Sequence, residues 1–162
     1  MQKFFKGFGY AFRGIKKAVW TERNLRFHLG AAVLALCFGL IAGISTVEYI
    51  LLFTIIGIII SLEMMNSAIE RAVDLESKGE KSALAGKAKD IAAGSVLISA
   101  FFALLSGIML FCTQGRPQII FSFFRENLWA VAMGIIFVVL WLLWVFRGNF
   151  SDVDKEEDKD YE

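Results

Sequence analysis

The sequence has one proline, one histidine and two cysteines in 162 residues. Cys37 and Cys112 both sit in apolar runs without metal-ligand spacing, so neither a disulfide framework nor a zinc site is implied. An excess of either charge is also missing. Seventeen Lys and Arg against sixteen Asp and Glu leave a net charge of +1, so no bulk basicity points to nucleic acid. Charged residues make up only 20% of the chain, hydrophobic residues 57%, and mean hydropathy is +0.60. A soluble domain is nearer half apolar and a quarter charged, and disorder needs the opposite bias. A soluble globular enzyme and a disordered hub are thereby excluded, and a small integral membrane protein remains.

Four apolar stretches, at about 29–46, 49–69, 91–113 and 128–146, are long enough to cross a bilayer, which takes roughly 20 helical residues. The first long run starts near Leu29, too late for a signal peptide, and no small-residue cleavage pattern precedes it. Seven Lys and Arg fall within residues 1–28 and five within 70–90, against none in the 45–48 turn and two in 114–127. By the positive-inside rule the N-terminus and the 70–90 loop are expected in the cytoplasm, and four spans return the C-terminus there. The tail 151–162 carries seven acids and two lysines and reads as disordered and solvated.

Residues 1–20 are neither a span nor a plain linker. At about 100° per residue, Phe4, Phe5, Phe8, Phe12, Ile15 and Val19 fall within one stripe of roughly 100°, with Lys6, Arg13 and Lys17 opposite. That pattern fits an amphipathic helix lying in the membrane surface.

The most informative residues are charges where an apolar span should be. Glu63, Asn66, Glu70 and Asp74 fall at i, i+3, i+7 and i+11, within about 80° of one another on a helix. Charge inside a membrane costs about 3 kcal/mol or more per residue and usually marks function. Three like charges on one face also require cations, basic partners or a raised pKa. Asp74 and Glu70 could be solvated helix-end acids, whereas Glu63 lies deepest, between Ile58–Leu62 and Met64–Met65.

The following loop ends in Lys87-Ala-Lys89-Asp90, before the small residues Ala92, Ala93, Gly94 and Ser95. Asp90 reads as a helix N-cap or as part of a site, and Lys89 could meet an anion or a span-two carboxylate. The small residues, and Gly39 with Gly43 in span one, are expected to allow close helix approach. Ser77–Lys89 fails the spacing of a phosphate-binding loop. Between surface helix and first span, Thr21-Glu-Arg-Asn-Leu-Arg-Phe-His28 places Glu22 and Arg26 four apart, compatible with a simple surface pair. His28 reads as a polar helix-end residue, and Glu48, Trp129, Trp141 and Trp144 as interface residues.

Acids at one membrane boundary, a basic loop and a surface helix supply the types that phosphoryl transfer needs: oxygen ligands for magnesium, a cation for phosphates and a base for the attacking hydroxyl. A cation pathway would use the same acids but would distribute polar groups across the membrane, and spans one, three and four have almost none. Chemistry confined to one interface suits a water-soluble co-substrate meeting a lipid headgroup.

Glu63-Met-Met-Asn-Ser-Ala-Ile-Glu70-Arg-Ala-Val-Asp74, followed by Lys87-Ala-Lys-Asp90, resembles the signature of the small prokaryotic integral-membrane lipid kinases, diacylglycerol kinase and undecaprenol kinase. Thr21-Glu-Arg-Asn-Leu-Arg-Phe-His-Leu29 is similar to the undecaprenol kinase branch, and the resemblance covers about residues 3–113. It implies an all-α homotrimer with active sites shared between chains, working on Mg2+ and ATP at the cytoplasmic face of a bacterial cell membrane. By position, Glu63 is implied as base on the lipid hydroxyl, and Glu22 and Glu70 as metal ligands. Asn66, Lys89 and Asp90 are implied at the nucleotide and catalytic site, as is Tyr10, and Glu80 and Ser82 where the loop approaches the nucleotide. Lys3, Arg13, Lys17 and Arg26 are candidates for headgroup or phosphate contacts, and Asp74 for a supporting acid.

The expected organisation is a surface helix and first catalytic segment over 1–28, a three-span core over 29–113, a connection and extra fourth span over 114–147, and an acidic tail over 148–162. The expected function is ATP-dependent phosphorylation of a membrane lipid alcohol, undecaprenol before diacylglycerol. A non-enzymatic membrane scaffold with an acidic recruiting tail is the rival from another class. Span four and the tail are additions to the basic family.

Overall fold

A computed structural model describes residues 2–77 and 82–147. Glu80 and residues 148–162 lie outside the described residues, as does the side chain of Lys3. Every regular element among the described residues is an α-helix: α1 (Gln2–Thr21), α2 (Arg23–Ala42), α3 (Thr46–Ser77), α4 (Ala83–Phe111), α5 (Arg116–Glu126) and α6 (Leu128–Phe146). Four of them, α2, α3, α4 and α6, are long and apolar enough to cross a membrane.

The helices extend beyond the apolar runs. α2 starts at Arg23 and α4 at Ala83, so the polar residues before each span belong to the same rods. Asp90 is therefore not an N-cap; it lies two turns inside α4, whose cap position is the extended Ser82. Only Glu22 separates α1 from α2, with φ −94° and ψ 111°. One extended residue between two helices makes a sharp corner.

α2 ends at Gly43, which adopts the left-handed conformation (φ 63°). Its N–H donates to Leu40 O, and Ile44 N–H donates to Gly39 O, the paired bonds of a Schellman stop. Gly39 and Gly43 thus build a turn; a Cβ on Gly39 would come within 2.8 Å of Ile44 Cδ1 and 3.3 Å of Tyr49 Oη on α3, while Gly43 meets no neighbour. α3 then opens with a capping box. Ser45 N–H and Oγ donate to Glu48 Oε2 at 2.8 and 2.9 Å.

The stretch after α4, expected as a plain connection, forms α5. Pro117 in its first turn carries the backbone angle a helix start needs. Arg116, 7% exposed, donates through Nη2 to both oxygens of Glu48 at 2.7 and 2.8 Å, and through Nη1 to Leu110 O. Glu48, read from the sequence as an interface residue, is the anchor that holds α5 to the α2–α3 turn. Beside it Ala42, Ile44 and Leu52 form a small buried cluster packed by Leu110, Phe111 and Ile120.

α3 and α4 form the main antiparallel pair, and α2 packs against α3, α4, α5 and α6. The close approach falls at Gly30, where a Cβ would stand 2.0 Å from Trp141 Nε1. Trp141 also lies tilted on Phe27, ring centroids 5.2 Å apart, and donates to Arg26 O at 3.1 Å. Trp141 is thus a docking side chain of α6. Large side chains such as Leu51, Phe53, Leu97, Phe102, Met133 and Leu140 stay more than half exposed, as expected where lipid or other chains replace water as the surroundings.

Candidate active site

The corner between α1 and α2 carries three polar side chains, each held by a different partner. Glu22 Oε1 accepts from Arg71 Nη2 of α3 at 2.9 Å and from Thr21 Oγ1 at 3.2 Å. The Asn24 side chain approaches the carboxylate of Glu63. Arg26 turns inward and is 2% exposed. The extended corner residue lets side chains two apart in sequence reach different neighbours.

On α3 the period of the sequence is realised. Glu63 is 2% exposed and Asn66 and Ser67 are 7% exposed, while Glu70 is half-buried and Asp74 exposed. Glu22 and Glu70 both stand near enough to Glu63 for their charges to act on it. Asn66 Nδ2 donates to Glu70 Oε1 at 2.9 Å, which fixes the amide flat against the carboxylate one turn on. The amide oxygen, Asn66 Oδ1, is buried without a hydrogen-bond partner. A buried acceptor left open costs roughly 1–3 kcal/mol, and such sites commonly await a ligand or ion.

Glu22, Glu63, Asn66 and Glu70 are therefore brought together. Asp74 lies beyond them and accepts from Lys89 Nζ, which ties the loop ends of α3 and α4. Asp90 and Ser82 are exposed on α4 and at its start. Tyr10 is 54% exposed on α1, with the Arg13 guanidinium 4.8 Å above its ring. Lys17 is half-buried, and its carbonyl accepts from Thr21 Oγ1.

Arg26, a candidate for headgroup contact from the sequence, is occupied differently. It donates to Trp20 O at 2.6 Å, Val145 O at 3.2 Å and Arg147 O at 3.3 Å. Nor does it form the surface pair with Glu22 that the four-residue spacing allowed; the ion-pair partner of Glu22 is Arg71. Arg71 and Asn24 were not singled out from the sequence. Arg71 follows Glu70 directly and Asn24 sits in the polar run before span one, so adjacency was the one signal that could have found them.

Hard divalent cations take oxygen ligands, and Mg2+ is typically held by one or two carboxylates plus substrate phosphates. Among the described residues no three acids, histidines or cysteines stand close enough to cage a metal alone. The chemistry of the donors suits such an ion: Glu22, Glu70 and the open amide oxygen of Asn66 all offer hard oxygens. Next to this polar end an apolar cavity of about 490 Å³ runs between α2, α3 and α4. Ala31, Ala35, Ile56, Ala103 and Gly107 line it, and His28 and Ile60 stand at the end near Glu63.

The family model for prokaryotic diacylglycerol kinase matches residues 9–111, the corner, the acidic face of α3 and the whole of α4. The chain belongs to that family. Undecaprenol kinase of Bacillus subtilis (strain 168) is 40% identical over 111 residues, 68% of this chain and 89% of the relative. Diacylglycerol kinase of Synechocystis sp. is 33% identical over 62% of this chain and 57% of its own length. Diacylglycerol kinase of Escherichia coli (strain K12) is 29% identical over 67% and 88%. No solved structure matches the chain. The family segment ends at the last residue of α4, so α5 and α6 lie outside it.

Proposed function

We propose that this membrane protein is an ATP-dependent lipid kinase that transfers the γ-phosphate to the hydroxyl of undecaprenol. The observation that carries this is the burial of Glu63, an acid 2% exposed in an apolar helix, beside Asn24 and within reach of the charges of Glu22 and Glu70. A structural acid in such a place would be ion-paired; this one meets a neutral amide. It is the base that takes the lipid hydroxyl proton as the phosphoryl group arrives.

Glu22 and Glu70, with Asn66 Oδ1, would hold Mg2+, which would supply charge neutralisation for phosphoryl transfer. Arg71 and Asn66 orient those carboxylates. Lys89, Asp90 and Tyr10, with Ser82 and Glu80 in the loop, approach the nucleotide, and Asp74 supports Lys89. Lys3, Arg13 and Lys17 meet phosphates or headgroups from α1, which lies amphipathically in the cytoplasmic interface; Phe5, Phe8, Phe12 and Ile15 are exposed on it. The apolar cavity beside Glu63 accepts the lipid chain. Both termini are cytoplasmic, and three chains assemble with active sites between neighbours.

Undecaprenol is favoured by the 40% identical relative, and diacylglycerol is the second reading, carried by the 33% and 29% identical ones. Purified protein in mixed micelles, given labelled ATP and Mg2+, is tested against undecaprenol, diacylglycerol and ceramide. Preferential labelling of undecaprenol is expected. Labelling of diacylglycerol alone would exchange the two readings, and no labelled lipid at all would favour a non-enzymatic scaffold.

A further inference from the structure

Outside the family segment, the best-built feature of the molecule is the junction between α6 and the α1–α2 corner. The guanidinium of Arg26 is buried at its centre. Nη1 donates to Trp20 O in the last turn of α1, and Nη2 donates to Val145 O and Arg147 O at the end of α6. The last carbonyls of a helix have no intrahelical partner and carry the negative end of its dipole, so a buried cation there satisfies both. From the other side, Trp141 Nε1 returns a bond to the backbone carbonyl of Arg26, and its indole fills the space that Gly30 leaves open. Val145, whose carbonyl takes part in the junction, is 3% exposed.

Arg26 is one helical turn past Glu22, and its N–H donates to Glu22 O. The same short segment, Trp20 to Arg26, carries Glu22 and Asn24, which face α3. Fixing the segment from the α6 side therefore fixes where those two side chains stand. We infer that Arg26 is a positioning residue through which the fourth span holds the catalytic corner, setting Glu22 and Asn24 against Glu63 and Glu70. α6 is then a brace for the active site of this chain, and the basic family segment lacks it. The consequence for activity rests on the kinase reading; the brace itself does not.

The test uses full-length protein and two measurements. Gly30→Ala places a methyl inside the Trp141 ring and lifts α6 from α2, while alanine suits the helix itself. Trp141→Leu is the milder second variant, which removes the ring and its hydrogen bond. Hydrogen exchange over residues 20–26 is followed in both. Exchange faster by about tenfold is expected, as for loss of a hydrogen bond to a charged group that closes a local opening. In the kinase assay the KM for Mg-ATP rises several-fold while the KM for the lipid acceptor stays unchanged, and Arg26→Gln gives the same split with Arg26→Lys intermediate. Combining Gly30→Ala with Arg26→Gln adds nothing further if both act through one junction. Unchanged exchange at the corner in Gly30→Ala and Trp141→Leu would overturn the inference, as would a defect confined to the lipid KM. A wild-type protein that labels no lipid would remove the kinase reading, while faster corner exchange in the variants would still establish the brace.

Discussion

Arg71 Nη2 bridges Thr21 Oγ1 at 2.6 Å and Glu22 Oε1 at 2.9 Å, so that one guanidinium on α3 holds the residue joining α1 to α2. Arg71 is 47% and Glu22 25% exposed at their side chains, and ion pairs at such surfaces contribute only about 0–1 kcal/mol. Its value is therefore in aiming the Glu22 carboxylate. Arg71→Gln should leave the melting temperature nearly unchanged and raise the Mg2+ concentration needed for half-maximal lipid phosphorylation. A magnesium titration of the variant beside wild type checks it, and an unshifted curve would mean that Glu22 needs no aiming or is no metal ligand.

Glu63 and Glu70 share a helix face and should behave differently. Glu63→Gln keeps the volume and removes the proton acceptor, so turnover should fall by about 10²–10⁴, the usual contribution of general acid–base catalysis, with little change in nucleotide affinity. Glu70→Gln weakens a metal ligand, so its defect should be partly relieved by added Mg2+. Steady-state kinetics across ATP and Mg2+ concentrations separates the two patterns, and wild-type turnover in folded Glu63→Gln protein would defeat the base assignment.

Asn66→Leu should discriminate between a packing amide and a ligand. The open oxygen Oδ1 and the Nδ2 bond to Glu70 disappear together. Removing an unpartnered buried polar atom can be neutral or stabilising. The variant should thus be as stable as wild type in thermal unfolding while its Mg-ATP binding is weakened at least as much as in Glu70→Gln. Loss of stability with intact nucleotide binding would assign Asn66 to packing.

At the opposite end, Glu48→Gln and Arg116→Lys should loosen α5 without touching the chemistry. Glu48 serves the capping box of α3 and the bidentate contact with Arg116 at once, so Glu48→Gln should be the more destabilising. Proteolysis between α4 and α6 should quicken in both, with kinase activity preserved at temperatures where the fold holds. A catalytic defect in folded protein would connect this end to the site.

Deleting residues 148–162 should leave lipid phosphorylation largely intact, because the family segment ends at residue 111 and Arg147, whose carbonyl caps Arg26, is retained. Deletion that also removes Val145–Arg147 should reproduce the corner defects. Activity of the two truncations in the same membranes distinguishes tail from brace.

The sequence by itself determined the membrane class, the four apolar rods and the acidic face of α3. Hydropathy and a 3.6-residue period depend only on local composition, and Glu63, Asn66 and Glu70 must share a face in any helix. It also determined the family, since the residues carrying the resemblance lie close together along the chain. The tertiary structure decided how the remaining polar groups are spent. Arg26 and Glu22 are four apart and look like partners, yet the corner sends one to α6 and the other to α3, because an unpaired helix end and a neighbouring arginine compete for them. Gly39 and Gly43 build the turn that leads into α3, while Gly30, with no glycine at the matching spacing, took the indole of Trp141 on α6. Arg116 and Glu48 stand 68 residues apart and Trp141 and Arg26 115 apart. No period in the sequence spans such distances; only packing brings those groups together, and burial then makes each bond between them obligatory.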